Sequence, residues 1–273
     1  MSKGESRPYF ADPSESFVLY KGDSLTTIES LGEQQFEMIF ADPPYFLSNG
    51  GVTCKGGKMV SVDKGHWDRS MGVDNNHAFN LQWLEACQKA LTADGTIFVS
   101  GTHHTIFSIG FAMQQLGFKI LNDITWLKPN PPPNLSCRYF THTSETILWA
   151  ARSKTSRHTF NYSEMREENG GKQMKSVWNF TAPGKSEKQH GKHPTQKPLG
   201  LLDRIVRAAS QPGDRILDPF NGSGTTGIAA LSQGRRYVGI DISDEYLDLT
   251  LARYDGLVGN HAVEPALCDG MLL

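Results

Sequence analysis

Phe36-Glu-Met-Ile-Phe-Ala-Asp-Pro-Pro-Tyr45 is the stretch whose reading decides the fold. Met38 to Ala41 is an apolar run with the length of a buried strand. The run stops at Asp42-Pro43-Pro44-Tyr45. Neither proline has an N–H to give to a sheet ladder, and Pro44 holds Pro43 extended. The pattern predicts a stiff tip at the carboxyl end of a strand, carrying a carboxylate, backbone carbonyls without sheet partners and an aromatic ring. In open α/β sheets, ligands bind at such ends.

That tip suits a flat, electron-poor exocyclic amine such as adenine N6. The lone pair of such an amine is delocalised into its ring, so it is a poor nucleophile. The Asp42 carboxylate and the Pro43 carbonyl are both acceptors for the NH2 group, and accepting from it draws the nitrogen towards tetrahedral geometry. Tyr45 offers a face for a base, and such stacking is worth ~1–3 kcal/mol. An ordinary Asp-Pro turn after a strand has the same letters, so the rest of the chain must decide.

Outward from this stretch, the pattern alternates strand and helix. Ser16 to Tyr20 reads as a strand ending near Asp23, with Ser24 as the expected cap of a short helix to Leu31. Residues 1–16 read as a flexible lead-in. Phe46 to Asp68 is glycine-rich and lacks periodicity, which suggests a flap over the tip, with Trp67 near its end. Helical spacing marks Asp74–Leu91 and a second helix through Ile106, Ile109, Met113 and Leu116. Strands are expected at Thr96–Ser100, Lys119–Leu127 and Thr146–Ala150. This alternation predicts a doubly wound α/β sheet.

The 273 residues fit one domain carrying an inserted piece, about residues 128–190, read as a target-recognition region. No apolar run has the length of a membrane span, the N-terminus has no signal-peptide core, and the four cysteines form no C-x-x-C pair. A structural zinc site, a disulfide framework and a membrane location are therefore not expected, and a reducing cytoplasm is. Net charge is −2, yet Ala151–Gly200 holds ten Lys and Arg against four Glu. Basic residues interleaved with aromatic ones suit contact with a polyanion.

A second motif, Asp218-Pro-Phe-Asn-Gly222-Ser-Gly224-Thr-Thr, joins the short strand Arg215–Leu217 to a helix beginning at Thr225. Gly222 and Gly224 allow sharp bends and close approach, and the helix N-terminus presents free N–H groups. Gly222, Gly224 and Gly227 satisfy the bare dinucleotide spacing, so spacing alone leaves a nicotinamide cofactor open. No lysine follows Gly224, which excludes a P-loop. The Asp218 carboxylate repels a pyrophosphate and suits a cationic amino-acid tail. Asp241, at the end of the next strand, is placed for ribose hydroxyls. S-adenosylmethionine has both features.

Asp42-Pro-Pro-Tyr45 resembles the acceptor motif of amino-methyltransferases, and Asp218-Pro-Phe-x-Gly-x-Gly-Thr-Thr their methyl-donor motif. His193-Pro-Thr-Gln-Lys-Pro198 resembles the segment before the donor motif in the permuted β group, where the acceptor motif comes first; here Asp218 lies 176 residues after Asp42. Phe40–Gly51, Asn134–His142 and Glu145–Trp149 resemble the DpnA-like adenine methyltransferases of DpnII-type restriction–modification systems.

The resemblance implies a Rossmann-like S-adenosylmethionine-dependent methyltransferase, with a mostly parallel, circularly permuted seven-stranded sheet. Asp218, Phe220, Gly222, Gly224 and Thr225 would hold the donor's methionine part with Thr195 and Lys197, and Lys197 would pair with its carboxylate. Asp241 would take the ribose and Asp23 the adenine amine. Asp42, Pro43, Pro44 and Tyr45 would be catalytic, without a metal. The resemblance further implies a GATC target, action on single-stranded DNA, a companion restriction endonuclease without direct contact and, by analogy, a homodimer. The rival readings are cytosine-N4 methylation, a nicotinamide-dependent oxidoreductase and a non-catalytic nucleic-acid-binding module. Asp rather than Ser at the first position of the tip favours adenine.

Overall fold

A computed structural model of the chain describes residues 7–47, 52–55, 58–61, 68–131 and 133–261. Its central strand is β3 (Phe36–Ala41), which carries the acceptor tip. Met38 and Phe40 face one apolar layer, while Ile39 and Ala41 face the other. A strand buried on both faces reads as a continuous apolar run, which is why the sequence showed no alternation there. A register shift against the neighbouring strand falls between Phe36 and Met38, and it leaves Phe36 on the same face as Ile39.

The other strands are β1 (Phe10–Ala11), β2 (Phe17–Lys21), β4 (Val52–Lys55), β5 (Lys58–Ser61), β6 (Leu91–Gly101), β7 (Lys119–Leu127), β8 (Ser144–Ala151), β9 (Val177–Asn179), β10 (Arg215–Asp218) and β11 (Arg236–Asp241). The main sheet has the order β1-β2-β11-β10-β3-β6-β8-β7-β9. From β2 to β6 every pair is parallel. β8 runs antiparallel between β6 and β7. This is the expected seven-stranded sheet, with the two-residue β1 and the three-residue β9 added at its edges. β2 lies parallel beside β11, with Lys21 opposite Asp241, as the permuted order requires.

Helices α1 (Ser24–Leu31), α2 (Val73–Ala90) and α3 (Ile106–Gln115) cover one face. Helices α5 (Leu199–Ala209), α6 (Thr225–Ser232) and α7 (Asp244–His261) cover the other, and α4 (Tyr162–Glu168) packs on α5. The apolar stripe of α5, Leu201, Leu202, Ile205, Val206 and Ala209, is buried. Each large aliphatic there contributes ~1.5–3 kcal/mol of burial. β10 sits between β11 and β3, where the crossovers change from one face to the other. The acceptor and donor motifs therefore leave the sheet side by side at its switch point, the usual ligand crevice of such folds.

Several expectations change. Residues 7–16 are tied down rather than loose: β1 pairs with β2, and the Asp12 carboxylate accepts from Phe17 N at 2.7 Å and from the Ser14 and Ser16 hydroxyls. Asp23, not Ser24, caps α1, accepting from Thr26 N at 3.1 Å. Ser24 instead donates to Pro219 O at 2.8 Å, tethering the donor loop. The stretch read as a flap contains a two-stranded hairpin, β4 with β5, while Trp67 lies outside the described residues. The block 128–190 contains β8, a core strand, so it is not one continuous insertion; its exposed parts lie before and after β8.

Candidate active site

Asp42 follows β3 directly and precedes Pro43. Its Oδ1 accepts from the Tyr45 hydroxyl at 2.7 Å, and its Oδ2 pairs with the Lys197 ammonium. The Tyr45 hydroxyl also lies 3.1 Å from Ser100 Oγ and 3.3 Å from Glu145 Oε2. Glu145 Oε1 pairs with Lys128. Two carboxylates and two ammonium groups thus form one neutral cluster at the tips of β3, β7 and β8, with Lys197 on the segment before α5. Lys197 is 6% exposed and Tyr45 is 5% exposed.

Lys197 and Glu145 are each held ionised against their burial. Burial pulls the Lys197 ammonium down, but Asp42 and Glu145 outweigh it and hold its pKa above the ordinary lysine value. Burial pushes Glu145 up, but Lys197 and Lys128 outweigh it and leave the carboxyl below its usual range. Burial, with Asp42 and Glu145, drives the Tyr45 phenol well above its usual range, so it remains a donor. Asp68, fully buried, fixes the turn by accepting from Tyr45 N at 2.8 Å and Leu47 N at 3.2 Å.

On the donor side, Asp218 ends β10 and is almost fully buried. Its Oδ1 accepts from Phe220 N at 3.0 Å and its Oδ2 from Thr226 Oγ1 at 2.6 Å. Burial nevertheless pushes it up to about 7, with Asp42 and Asp241 adding repulsion. Asp241 accepts from Gly222 N at 2.8 Å and Ser243 N at 2.9 Å, which ties the loop to the end of β11. Gly224 has φ +69°, and a Cβ there would meet Thr250 Cγ2 at 2.4 Å. A Cβ on Gly222, with φ +50°, would meet the His193 ring at 3.1 Å. The glycines are thus required by the protein's own packing at least as much as by approach to a ligand. Arg253 of α7 clamps the loop from behind, donating to Ser223 O at 2.6 Å and Thr225 Oγ1 at 2.9 Å.

These two halves line one cavity of about 290 Å³. Asp42 and Pro44 border it at one end; Asp218, Phe220, Gly222, Thr225 and Asp241 form its wall; Asp23, Thr195 and Lys197 also reach it. Phe220 is held edge-on against Trp83, at 5.4 Å between ring centroids. Of the residues singled out in the sequence, Asp23, Asp42, Pro44, Thr195, Lys197, Asp218, Phe220, Gly222, Thr225 and Asp241 line this cavity, while Pro43, Tyr45 and Gly224, the N-cap of α6, do not. Lys197 departs from expectation: its ammonium is engaged by Asp42 rather than left facing the donor wall. Tyr45 is a hydroxyl donor within the cluster, with its ring buried rather than displayed.

Sequence reasoning missed Glu145, Lys128, Ser100 and Asp68. Each joins the site through a partner at least 17 residues away, and no local pattern marks such pairs. It also missed Trp83, Phe79 and Gln82 of α2, which line the cavity from a helix read only as core.

A buried carboxylate pushed towards neutrality, next to a wall ending in a second carboxylate, fits a ligand with a cationic head and hydroxyls. That is the donor set S-adenosylmethionine needs. Comparison with known proteins agrees. Residues 36–252 match the family described as DNA methylase, which groups N6 and N4 methyltransferases. The chain is 52% identical over 249 residues to the Type II methyltransferase M2.LlaDCHI of Lactococcus lactis subsp. cremoris, covering 91% of this chain and 92% of that one. It is 50% identical over 251 residues to the Type II methyltransferase M2.DpnII of Streptococcus pneumoniae, covering 92% and 93%. Among solved structures, the M1.HpyAVI–S-adenosylmethionine complex is similar with a TM-score of 0.67 and 25% identity, over 88% of this chain and 99% of that one. The cytosine-N4-specific PvuII DNA methyltransferase shares the fold, with a TM-score of 0.69 at 18% identity over 90% and 91%. The chain therefore belongs to the DNA methylase family and is a DNA methyltransferase that takes its methyl group from S-adenosylmethionine.

Proposed function

We propose that this chain methylates adenine N6 within GATC, on single-stranded as well as double-stranded DNA, as the modification arm of a restriction–modification system. The observation that carries the reading is the shared cavity, where the Asp42 tip meets the Asp218 loop. S-adenosylmethionine supplies an electrophilic methyl group. Asp218, Phe220, Gly222, Gly224 and Thr225 hold its methionine part, with Thr195 beside them; Asp241 takes ribose hydroxyls and Asp23 the adenine amine. Asp42 and the Pro43 carbonyl accept from the target NH2 group, which frees its lone pair for attack on the methyl carbon as the methyl–sulfur bond breaks and its electron pair stays on the departing thioether sulfur. Pro44 keeps the tip rigid. The methylated nitrogen carries a positive charge and loses its proton readily, so no strong base is required. The Tyr45 ring supports the target base once the tip opens to admit it.

In duplex DNA the target base must first leave the stack, at a cost of a few kcal/mol that a single strand largely avoids. Support for a DNA-facing surface comes from Tyr139 and Phe140, exposed beside Arg138 in the segment between β7 and β8. The GATC target rests on likeness to DpnII-type enzymes. Cytosine N4 offers similar amine chemistry; Asp at the first position of the tip favours adenine.

A companion endonuclease without direct contact accompanies this reading, and so does placement in the cytoplasm with the DNA. Cys87 and Cys137 are free thiols, as a reducing compartment keeps them. Homodimer formation is supported by Phe107 and Phe111 on α3 and by Met71 and Val73 at the start of α2, all apolar and exposed.

The test is transfer of labelled methyl from S-adenosylmethionine to matched DNAs with and without GATC, each single- and double-stranded, followed by nucleoside analysis. N6-methyladenine confined to GATC DNA is the expected result. Label at cytosine N4, or in DNA lacking GATC, would overturn the assignment.

A further inference from the structure

Asp42 is the carboxylate that the proposed reaction needs, and both of its oxygens are engaged. Tyr45 donates to Oδ1 and Lys197 pairs with Oδ2. A carboxylate oxygen can accept a second hydrogen bond, but a target amine donating to Oδ2 competes with the Lys197 ammonium there, so a second acceptor for that ammonium eases its entry. In a buried site a displaced ammonium without an acceptor becomes an uncompensated charge. Glu145 supplies a carboxylate oxygen within reach of both occupants. Glu145 Oε2 lies 3.3 Å from the Tyr45 hydroxyl and 3.9 Å from Lys197 Nζ.

Glu145 is built to stay in place. It is the second residue of β8, two before the buried run that starts at Ile147, and its other oxygen pairs with Lys128. Lys128 N in turn donates to Thr143 O at 2.7 Å, closing the neck of the loop between β7 and β8. The receiving oxygen is thus fixed by the backbone, while the Lys197 side chain supplies the movement. Net charge in the cluster is unchanged by the exchange, because the ammonium moves from one carboxylate to the other.

We propose that Glu145 is a positioning residue that receives the Lys197 ammonium when the target amine takes Asp42 Oδ2. This rests on the reading of Asp42 as the acceptor of the target amine. It gives Lys197 two seats: one on Asp42 in the empty site, one on Glu145 during transfer.

The test uses the full chain, S-adenosylmethionine and plasmid DNA free of adenine methylation. In Glu145→Gln the second seat loses its charge, so Lys197 stays on Asp42. We expect kcat to fall by about tenfold or more, with donor affinity, measured by direct titration, within about twofold of the parent. Adding Lys197→Met to that variant removes the obstructing ammonium, so the double variant should be faster than Glu145→Gln alone at saturating donor. A residue that only stabilised the fold would give the opposite order, since two buried changes would weaken it further. Glu145→Asp retains the charge at shorter reach, and its kcat should fall between the parent and Glu145→Gln. A parental rate for Glu145→Gln, a double variant as slow as or slower than the single one, or Glu145→Asp outside that order would overturn the role. An inactive Asp42→Ala beside a fully active Glu145→Gln would remove only the role of Glu145. An active Asp42→Ala would remove the reading beneath it.

Discussion

Donor binding should depend on pH through Asp218, and the geometry sets both sign and size. The carboxyl is 3% exposed, and burial pushes it up to about 7, although Thr226 Oγ1 and Phe220 N both donate to it. A ligand with an ammonium group binds the ionised form. Apparent affinity should therefore fall as pH drops below 7, approaching tenfold per unit. Between pH 7.5 and 5.5, where the donor's own amine stays largely protonated, this amounts to roughly 25-fold. Stability of the empty protein runs the other way. The folded value lies above the ordinary aspartate value of 3.8, so the folded state holds its proton longer than the unfolded chain does. Stability is lost as pH rises from about 4 to 7, on the order of 4 kcal/mol once ionisation is complete. Asp218→Asn should flatten both dependences, at the expense of one hydrogen bond, because a carboxamide oxygen accepts where its NH2 cannot. Calorimetric titration of S-adenosylmethionine across that range, with melting curves in parallel, reads both effects. An affinity flat from pH 5.5 to 7.5 in the parent, or a slope that survives in Asp218→Asn, would refute the reasoning.

Gly224→Ala should lower stability by about 1–3 kcal/mol, because its Cβ would overlap Thr250 Cγ2 at 2.4 Å on a left-handed backbone; thermal melting would show it, and an unchanged Tm would contradict the packing argument. Phe140, 95% exposed, should be removable without loss of Tm, while Phe140→Ala should raise KM for DNA about fivefold or more if its ring stacks on a base. Equal KM values would take that loop away from the DNA. Affinity for DNA should fall steeply with added salt, through release of counterions from phosphates, whereas affinity for the donor should change little; equal salt slopes would argue against a phosphate-tracking surface.

The two motifs and their neighbourhood were legible because local rules govern them. A doubly buried strand must be apolar throughout, two prolines must end it, and a left-handed turn into a helix selects glycine. The helix stripe of α5 follows from the same kind of pattern, whereas the place of β2 beside β11 was implied by the resemblance to the permuted β group. What escaped was long-range. Glu145 reads as a polar residue at the edge of a strand; only the fold brings it to Tyr45, 100 residues earlier in the chain. Lys197 stands in the donor-side motif yet reaches back to Asp42 across 155 residues. The Asp23–Ser24 pair shows the limit at close range. Both residues are good caps, and the choice was made by Pro219 O, which takes the Ser24 hydroxyl. Residues 7–16 looked patternless because their order comes from the two-residue β1 pairing with β2 and from the Asp12 side chain rather than from periodicity.

The division of labour between the two halves of the cavity is the central claim, and Asp42→Ala tests it most directly. Methyl transfer to DNA and donor affinity should be measured on the same preparation. Loss of transfer with donor affinity within about twofold of the parent is the predicted result. Normal turnover in Asp42→Ala, or loss of donor binding alongside loss of transfer, would contradict it.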